Sequence, residues 1–144
     1  MPCDILAGMT GGTPVAGTVV AAAIIRGGKV LAAQRSSPPA LAGLWEFPGG
    51  KVEPGETEGQ ALIRECQEEI GVLVTPQCFL GEVPNPYGRG GVRLWSAVLC
   101  KPDEAQPVAL EHLELRWLGA SDLGSVQWLP GNRQFEAAVR PLLD

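Results

Sequence analysis

The chain has 144 residues, of which 45% are apolar, and its 11 basic and 16 acidic side chains give a formal net charge of −5. This length and apolar content suffice for one domain with its own core, and the acidic balance argues against a main role in holding a nucleic-acid polymer, because such surfaces are usually basic. No apolar run approaches the roughly 20 residues needed to cross a bilayer, so we expect a cytoplasmic protein without a membrane contact.

Four cysteines are spread along the chain, and no C-x-x-C pair stands near the single histidine. Metal-binding cysteines usually come in close pairs, so this spacing favours neither a zinc site nor a disulfide framework. The sequence therefore predicts reduced thiols, as in a reducing cytosol, at Cys3, Cys66, Cys78 and Cys100.

Residues 1–16 are rich in Gly, Pro and Thr and show no sustained hydrophobic period, which predicts a flexible leader. The domain is expected to occupy residues 17–144. It begins with two predicted strands in residues 17–35, where apolar runs flank a tight glycine turn. Residues 36–50 follow as a loop punctuated by Pro and Gly.

The clearest helix signal covers Thr57–Ile70. Thr57 and Gln60 match a capping box, an apolar stripe follows at helical spacing, and Gly71 suits the exit. A final helix is predicted over residues 133–143, although Pro141 should end or bend it. Four further strands are predicted over residues 72–74, 78–83, 92–100 and 113–119. This order of elements predicts an α+β fold, an α/β/α sandwich whose mixed sheet is flanked by helices.

The predicted helix carries an acidic face beside its apolar face. At about 100° per residue, Glu65, Glu68 and Glu69 share one arc of the helix. Like charges at this spacing repel, and acids in the last turn oppose the helix dipole. This arrangement of acids therefore lowers the stability of the helix in two ways. A solvated acidic face is one interpretation of this pattern, and a site for divalent cations is the other.

The neighbours of the acids favour the cation site. Gly49 and Gly50 precede the helix, at a place where the backbone must pass close to another group or adopt a positive φ. Arg64 adjoins the acidic arc and is suited to hold one carboxylate in place. Clustered hard oxygen ligands suit Mg²⁺, for which Mn²⁺ can substitute, and such cations bridge to substrate phosphates.

These residues also resemble a known family pattern, the Nudix box. The match runs at fixed spacing through Gly50, Glu56, Arg64, Glu65, Cys66, Glu68, Glu69, Gly71 and Val72. Cys66 departs from it mildly, because a branched aliphatic residue is commoner there. A nine-position match is a far more specific signal than a lone glycine motif.

The resemblance implies a Nudix fold whose catalytic element is a loop-helix-loop. It implies that the chain hydrolyses a nucleoside diphosphate linked to another group, with divalent metal as cofactor. Position by position, it implies that Glu65, Glu68 and Glu69 bind metal. It adds the carbonyl of Gly50 and the carboxylate of Glu56 to that set, and gives Arg64 the role of orienting a catalytic glutamate.

Beyond the box, residues 17–143 resemble the MutT branch, which removes damaged or surplus nucleoside triphosphates. The segment AGLWEFPGGKVEPGE, residues 42–56, carries much of that likeness. The resemblance implies that Arg35 contacts phosphate and that Phe47 and Lys51 bind substrate. It also places Glu111 near the metals, as a second candidate beside Glu65 for the general base. Arg35 on a solvated strand end and Glu111 in a surface loop are the structural alternatives.

Asn132 is the predicted base-reading residue. Its segment, Leu129–Asn132, resembles the loop in which guanine-sanitising members carry an asparagine and cytosine-preferring relatives an aspartate. An amide both donates and accepts, which suits a keto purine such as 8-oxo-dGTP, whereas a carboxylate only accepts. The alternative is that Asn132 caps the last helix. Phe47, Trp95 and Trp128 are candidates for the wall of the base pocket, or for the core.

The resulting hypothesis is a Mg²⁺-dependent pyrophosphohydrolase that converts a modified nucleoside triphosphate to the monophosphate and pyrophosphate. The expected substrate is 8-oxo-dGTP, in sanitation of the nucleotide pool. The runner-up substrates are CTP, dCTP and 5-methyl-dCTP, followed by ADP-ribose or a dinucleoside polyphosphate. A non-catalytic nucleotide sensor is the alternative from another class. The expected partner is the nucleotide alone, bound by a monomer or a homodimer.

Overall fold

The computed structural model describes residues 15–144, and within them seven strands form one mixed sheet. The predicted leader therefore lies outside the described residues except for Val15 and Ala16. In chain order the strands are β1 (Val19–Arg26), β2 (Lys29–Arg35), β3 (Trp45–Glu46), β4 (Gly49–Lys51), β5 (Val74–Pro84), β6 (Gly91–Leu99) and β7 (His112–Leu118). The helix α1 (Glu58–Ile70) lies between β4 and β5.

The sheet has β1 near its centre, with the order β3-β2-β1-β6-β5, while β4 pairs with β1 and β7 pairs with β2. The β1–β6 pair is parallel and the other pairs are antiparallel. A central strand between two helical layers should be apolar on both faces, and β1 reads VVAAAIIR. The predicted hairpin of β1 and β2 is confirmed by the pairs Ile25–Val30 and Arg26–Lys29.

Each face of the sheet has its own hydrophobic cluster. On one face, Val20, Ala22 and Ile24 of β1 pack with the apolar stripe of α1. On the other face, Ala21 and Ala23 pack with side chains of the C-terminal segment. The alternation along β1 therefore divides the core between two helical layers, which confirms the predicted sandwich.

The C-terminal helix differs from its prediction. A 3-10 helix (Ala120–Ser125) precedes α2 (Pro130–Arg133), α3 (Glu136–Val139) and a second 3-10 helix (Arg140–Leu142). The helical region thus begins three residues before the predicted start, because Pro130 suits the first turn of a helix. It is also broken, and Pro141, which lacks an N–H, lies in the 3-10 turn that ends it.

Two other predictions need correction. Of the predicted strand 72–74 only Val74 is in a strand, and it joins the predicted segment 78–83 in one strand, β5, whose register shifts between Pro76 and Phe79 and between Phe79 and Gly81. Cys66 and Cys100 are free thiols as predicted, but Cys78 is disulfide-bonded, and spacing along a chain does not reveal a bond that folding creates. Among the described residues, no helix is long and apolar enough to cross a membrane.

The predicted limits of α1 are confirmed at both ends. Thr57 Oγ1 accepts a hydrogen bond from the Gln60 amide at 3.1 Å, and Gln60 Oε1 accepts one from the Thr57 amide at 2.9 Å. Gly71 takes the left-handed conformation, φ 67°, that ends the helix. The capping box fixes where α1 begins, and therefore which side chains its last turns present to the sheet.

We expect the variant Thr57→Ala to lower the free energy of unfolding by about 1 kcal/mol, because an orphan helix amide loses its acceptor. The measurement is urea unfolding followed by circular dichroism. Thr57→Ser, which keeps the hydroxyl, is the matched control and should stay close to the parent. Equal losses in both variants would show that the methyl group, rather than the cap, stabilises this helix end.

Candidate active site

The glycine pair of β4 brings the backbone against two glutamates of α1. The Gly49 amide donates to Glu69 Oε2 at 2.9 Å. A Cβ on Gly50 would overlap the carboxylate of Glu65, and a Cβ on Gly49 would overlap the Val20 carbonyl. Close approach of backbone, rather than a positive φ, therefore requires glycine at position 49, which agrees with one of the two reasons given from the sequence. A side chain at position 50 would displace the carboxylate of Glu65.

Arg64 is the centre of a second group of acids. Its Nε and Nη2 atoms donate to the two oxygens of Glu56 at 2.7 and 2.9 Å. Its Nη1 atom donates to Glu65 Oε1 at 2.8 Å and to Glu68 Oε2 at 3.3 Å. The backbone carbonyl of Lys51 accepts from Nη2 at 3.0 Å. A single guanidinium thus orients three acids of the sequence motif and ties the helix to the strand that precedes it.

The pKa values of the acids in the motif differ with their surroundings. The hydrogen bond from Arg64 lowers the pKa of Glu56. Burial raises the pKa of Glu69 to about 8, helped by the nearby charges of Glu46, Glu65 and Glu111 and opposed by the Gly49 amide. Burial also raises the pKa of Glu65 despite its bond to Arg64. Burial and the neighbouring acids therefore disfavour the charged forms of Glu65 and Glu69.

The chemistry of this donor set fits a hard divalent cation. Glu65 and Glu69 are only partly exposed, and their oxygens lie against the Gly49–Gly50 backbone. A cation would offset the burial and the neighbouring negative charges that raise their pKa values. Among residues 15–144, however, no three acidic, histidine or cysteine side chains already converge as a closed ligand set. Glu68 is the outermost of the three, with its side chain 55% exposed.

A cavity of about 600 Å³ opens beside Glu69, and it contains residues predicted from the sequence and one that was missed. Arg35 and Glu111 line it as predicted neighbours of the acidic site. The missed residue is Glu46, which accepts from Arg35 Nη1 at 3.2 Å and lies 3.0 Å from His112 Nε2. Of the neighbouring charges, that of Glu46 raises the pKa of Glu69 the most. In the sequence, Glu46 could have been singled out by its position directly before the Phe-Pro-Gly-Gly segment.

All four predicted substrate-binding residues line a second cavity of about 450 Å³. Arg35 and Lys51 lie with Phe47 and Asn132 along its wall. The Asn132 side chain accepts a hydrogen bond from the Phe47 amide at 3.0 Å through Oδ1. Asn132 does not cap the last helix, because α2 has Leu129 as its N-cap.

Of the three candidate aromatics, the structure places only Phe47 in the wall of this cavity. Trp128 stacks on Phe47 from behind, with ring centroids 4.8 Å apart, and donates to the Leu123 carbonyl. Trp95 belongs to the core beneath α1, where its Nε1 donates to Glu58. The suggestion that Trp95 lines the base pocket is therefore wrong, because β6 turns this side chain to the opposite face of the sheet from Phe47.

The comparisons with known proteins agree with this geometry. The NUDIX domain family model matches residues 16–141.

The chain belongs to the NUDIX domain family.

Three similar proteins place this Nudix chain in the MutT-like branch. A Mycobacterium tuberculosis protein named "Putative 8-oxo-dGTP diphosphatase 2" is 44% identical over 126 residues, which cover 88% of this chain and 89% of that protein. The CTP pyrophosphohydrolase of Escherichia coli K12 is 60% identical over 57 residues, 40% of this chain and 42% of that protein. The MutT NUDIX hydrolase of Burkholderia pseudomallei superposes with a TM-score of 0.70 at 27% identity, covering 85% of this chain and 96% of that one.

This Nudix chain is therefore an enzyme, a hydrolase of phosphoric anhydrides of the MutT type, which uses divalent cations as its family does. The alternative of a non-catalytic sensor loses its support, since every acid of the motif is present and two of them, Glu65 and Glu69, lie against the Gly49–Gly50 backbone.

Three predicted site residues, Arg35, Glu69 and Glu111, line the acidic cavity. The apolar cavity is lined by Arg35, Phe47, Gly50, Lys51 and Asn132. The remaining predicted residues line neither of these two cavities and are joined by the hydrogen bonds of Arg64 to Glu56, Glu65 and Glu68. Arg35 and Glu46 line both cavities.

Proposed function

We propose that this Nudix enzyme hydrolyses a modified nucleoside triphosphate to the monophosphate and pyrophosphate with Mg²⁺, and that its main substrate is 8-oxo-dGTP. The observation that carries the proposal is the adjacency of the acids on α1 to a cavity whose wall holds a buried amide side chain. The 44% identity to a diphosphatase named for 8-oxo-dGTP supports the same substrate.

In this proposal the acids and glycines hold the reacting end of the nucleotide. Glu56, Glu65, Glu68 and Glu69, with the carbonyl of Gly50, are the groups that would hold Mg²⁺. The bound cation would neutralise phosphate oxygens and lower the pKa of the attacking water. Arg64 keeps Glu65 and Glu56 in place, and Arg35 supplies positive charge for the phosphates from the rim of both cavities.

Two carboxylates remain candidates for the general base. Glu65 has a raised pKa and one oxygen bonded to Arg64, and Glu111 lines the cavity beside Glu69. A base must lie within hydrogen-bond reach of the water that it deprotonates. Glu65→Gln and Glu111→Gln should be compared for the slope of log kcat against pH. The variant that loses the acidic limb of this profile identifies the base, and an unchanged limb in both would exclude the pair.

The base end is proposed to bind through Asn132. With Oδ1 committed to the Phe47 amide, Nδ2 is left to donate to a keto oxygen. Aspartate would keep the bond to Phe47 but would present a second acceptor instead of a donor. A second acceptor would favour the exocyclic amine of cytosine, so the asparagine at this position favours guanine. CTP, dCTP and 5-methyl-dCTP stay the runner-up substrates because of the general similarity to cytidine-preferring relatives. The partial likeness to a CTP pyrophosphohydrolase supports that alternative.

We expect Asn132→Asp to lower kcat/KM for 8-oxo-dGTP by about tenfold or more and to raise it for dCTP, since a buried donor becomes an acceptor. The measurement is kcat/KM for both nucleotides in parent and variant. Gln134→Glu, which makes the same change from amide to acid at an exposed position two residues along the chain, is the matched control and should leave the ratio unchanged. An unchanged ratio in Asn132→Asp would remove this residue from base recognition.

The test of the proposal is a panel of common, oxidised and methylated triphosphates with Mg²⁺, together with ADP-ribose and a dinucleoside polyphosphate. Pyrophosphate release should be fastest with 8-oxo-dGTP. Faster release from a cytosine nucleotide would establish the runner-up, and no pyrophosphate from any triphosphate would refute the proposal. A cytoplasmic location is part of the proposal, since free nucleotides are the substrates. A monomer or a homodimer stays a prediction.

A further inference from the structure

Glu46 lies at the boundary between the two cavities. It lines both of them, and its side chain is 15% exposed. The next residue, Phe47, lines only the apolar one of these two cavities. Consecutive side chains of an extended segment point to opposite sides, so one short stretch of backbone contributes to both the acidic and the apolar wall.

The backbone around Glu46 shows how far apart the base end and the phosphate end of the proposed site lie. The Phe47 amide is bonded to Asn132, at the proposed base end, and the Gly49 amide is bonded to Glu69, at the proposed phosphate end. The two amides are two residues apart, at most about 7 Å along an extended chain. In a nucleotide the group that separates base from phosphate is the sugar. Glu46 therefore lies beside the segment of the site that a sugar would occupy.

The carboxylate of Glu46 is held and partly neutralised. Arg35 Nη1 donates to both of its oxygens, at 3.2 and 3.4 Å. His112 Nε2 lies 3.0 Å from Oε2, and the His112 side chain is only 4% exposed. A carboxylate has about four acceptor positions and no donor. After these contacts Glu46 still has accepting capacity, and its orientation is fixed from two sides.

The chemistry of Glu46 excludes a phosphate as its partner, because two anions would repel, and favours a neutral group that donates hydrogen bonds. We propose that Glu46 accepts a hydrogen bond from the 3′-hydroxyl of the bound nucleotide and makes the enzyme select substrates that carry this hydroxyl. The inference rests on the proposed function, since it needs a nucleotide that spans both cavities. His112 acts as a positioning residue that holds Glu46.

The experiment compares matched nucleotides that differ at the sugar, dGTP with 2′,3′-dideoxy-GTP and dCTP with 2′,3′-dideoxy-CTP, so that the result does not depend on the preferred base. The parent enzyme should favour the 3′-hydroxyl nucleotide by about ten- to a hundredfold in kcat/KM, as for a hydrogen bond to a charged group. Glu46→Gln should reduce this ratio to about threefold or less, because an amide oxygen accepts more weakly than a carboxylate.

Two further variants separate positioning from general damage. His112→Asn keeps a donor near Glu46 and should retain most of the sugar preference, whereas His112→Phe should lose most of it. Glu114→Gln, an exposed acid of β7 that pairs with Arg116, is the matched control and should leave the preference unchanged. A Glu46→Gln enzyme that keeps the full sugar preference, or one that changes only the base preference, would overturn the assignment.

The parent enzyme alone already tests the inference. Equal kcat/KM for deoxy and dideoxy nucleotides would overturn it whether or not Glu46→Gln folds. If no triphosphate is hydrolysed, the proposed function fails, and the sugar contact is then scored by the binding of dGMP and 2′,3′-dideoxy-GMP in isothermal titration. Tighter binding of dGMP, lost in Glu46→Gln, would support the contact independently of catalysis, and equal binding would refute it.

Discussion

Glu69→Gln is expected to reduce kcat by about a thousandfold, the scale seen when a preorganised electrostatic group is removed from an active site. The carboxylate of Glu69 lies at the junction of β4 and the acidic cavity, bonded to the Gly49 amide. The amide of glutamine still accepts that bond, so the fold should persist. What is lost is a full negative charge where the proposal requires a ligand for Mg²⁺.

The measurement is single-turnover hydrolysis of 8-oxo-dGTP at saturating Mg²⁺, beside circular dichroism of both proteins. Glu114→Gln makes the same chemical change on the surface of β7 and should turn over like the parent. A Glu69→Gln enzyme that retains kcat within threefold of the parent would show that Glu69 has no part in the chemistry.

Glu69→Gln is also expected to change how the stability of the metal-free protein depends on pH. Folding raises the pKa of Glu69 from 4.5 to about 8, chiefly through burial. The stability that the neutral carboxyl contributes is therefore present below pH 4.5 and is lost as pH rises through 8. In EDTA, Glu69→Gln should melt above the parent at pH 9, and the difference should shrink towards pH 5. A difference that is constant with pH would contradict the assigned shift.

Arg64→Lys is the second substitution with a large expected effect, a loss of about a hundredfold in kcat, comparable to the loss of an orienting group around a metal site. The guanidinium binds both oxygens of Glu56 while a third N–H bond reaches Glu65. A lysine keeps the charge but has no planar fork, so it cannot hold both carboxylates and the Lys51 carbonyl at once.

The test of Arg64 is the separation of kcat from KM. Disordered acids should lower kcat, whereas KM for the nucleotide should change by less than about fivefold because the base cavity is untouched. Arg116→Lys, in an exposed ion pair with Glu114, is the matched control. Equal activity of Arg64→Lys and the parent would mean that positive charge alone, rather than the fork, suffices at this position.

The parts of the structure that follow from local physics could be predicted from the sequence. The limits of α1 depend on Thr57, Gln60 and Gly71, which interact within one or two helical turns. The hairpin of β1 and β2 depends on a glycine turn between two apolar runs. The division of α1 into an apolar and an acidic face follows from its period, and the buried residues of the helix confirm it.

The parts that were missed depend on contacts between distant residues. Glu46 gains its role only when β3 pairs with β2 and brings it to Arg35 and His112. The choice between the base pocket and the core could not be made for Trp95, because strand periodicity does not say which face of the sheet a side chain joins. The break in the last helix arises where short turns replace a regular segment, at Gln134–Phe135 and at Pro141.

Binding of Mn²⁺, followed by electron paramagnetic resonance during titration of the parent enzyme and of a Glu65→Gln/Glu69→Gln double variant, tests the central claim most directly. The claim is that the acids of α1 hold divalent cations beside the nucleotide cavity. The parent should bind Mn²⁺ more tightly when a non-hydrolysable triphosphate is present, and the double variant should lose about tenfold or more of that affinity. Equal Mn²⁺ affinity in the two folded proteins would contradict the account.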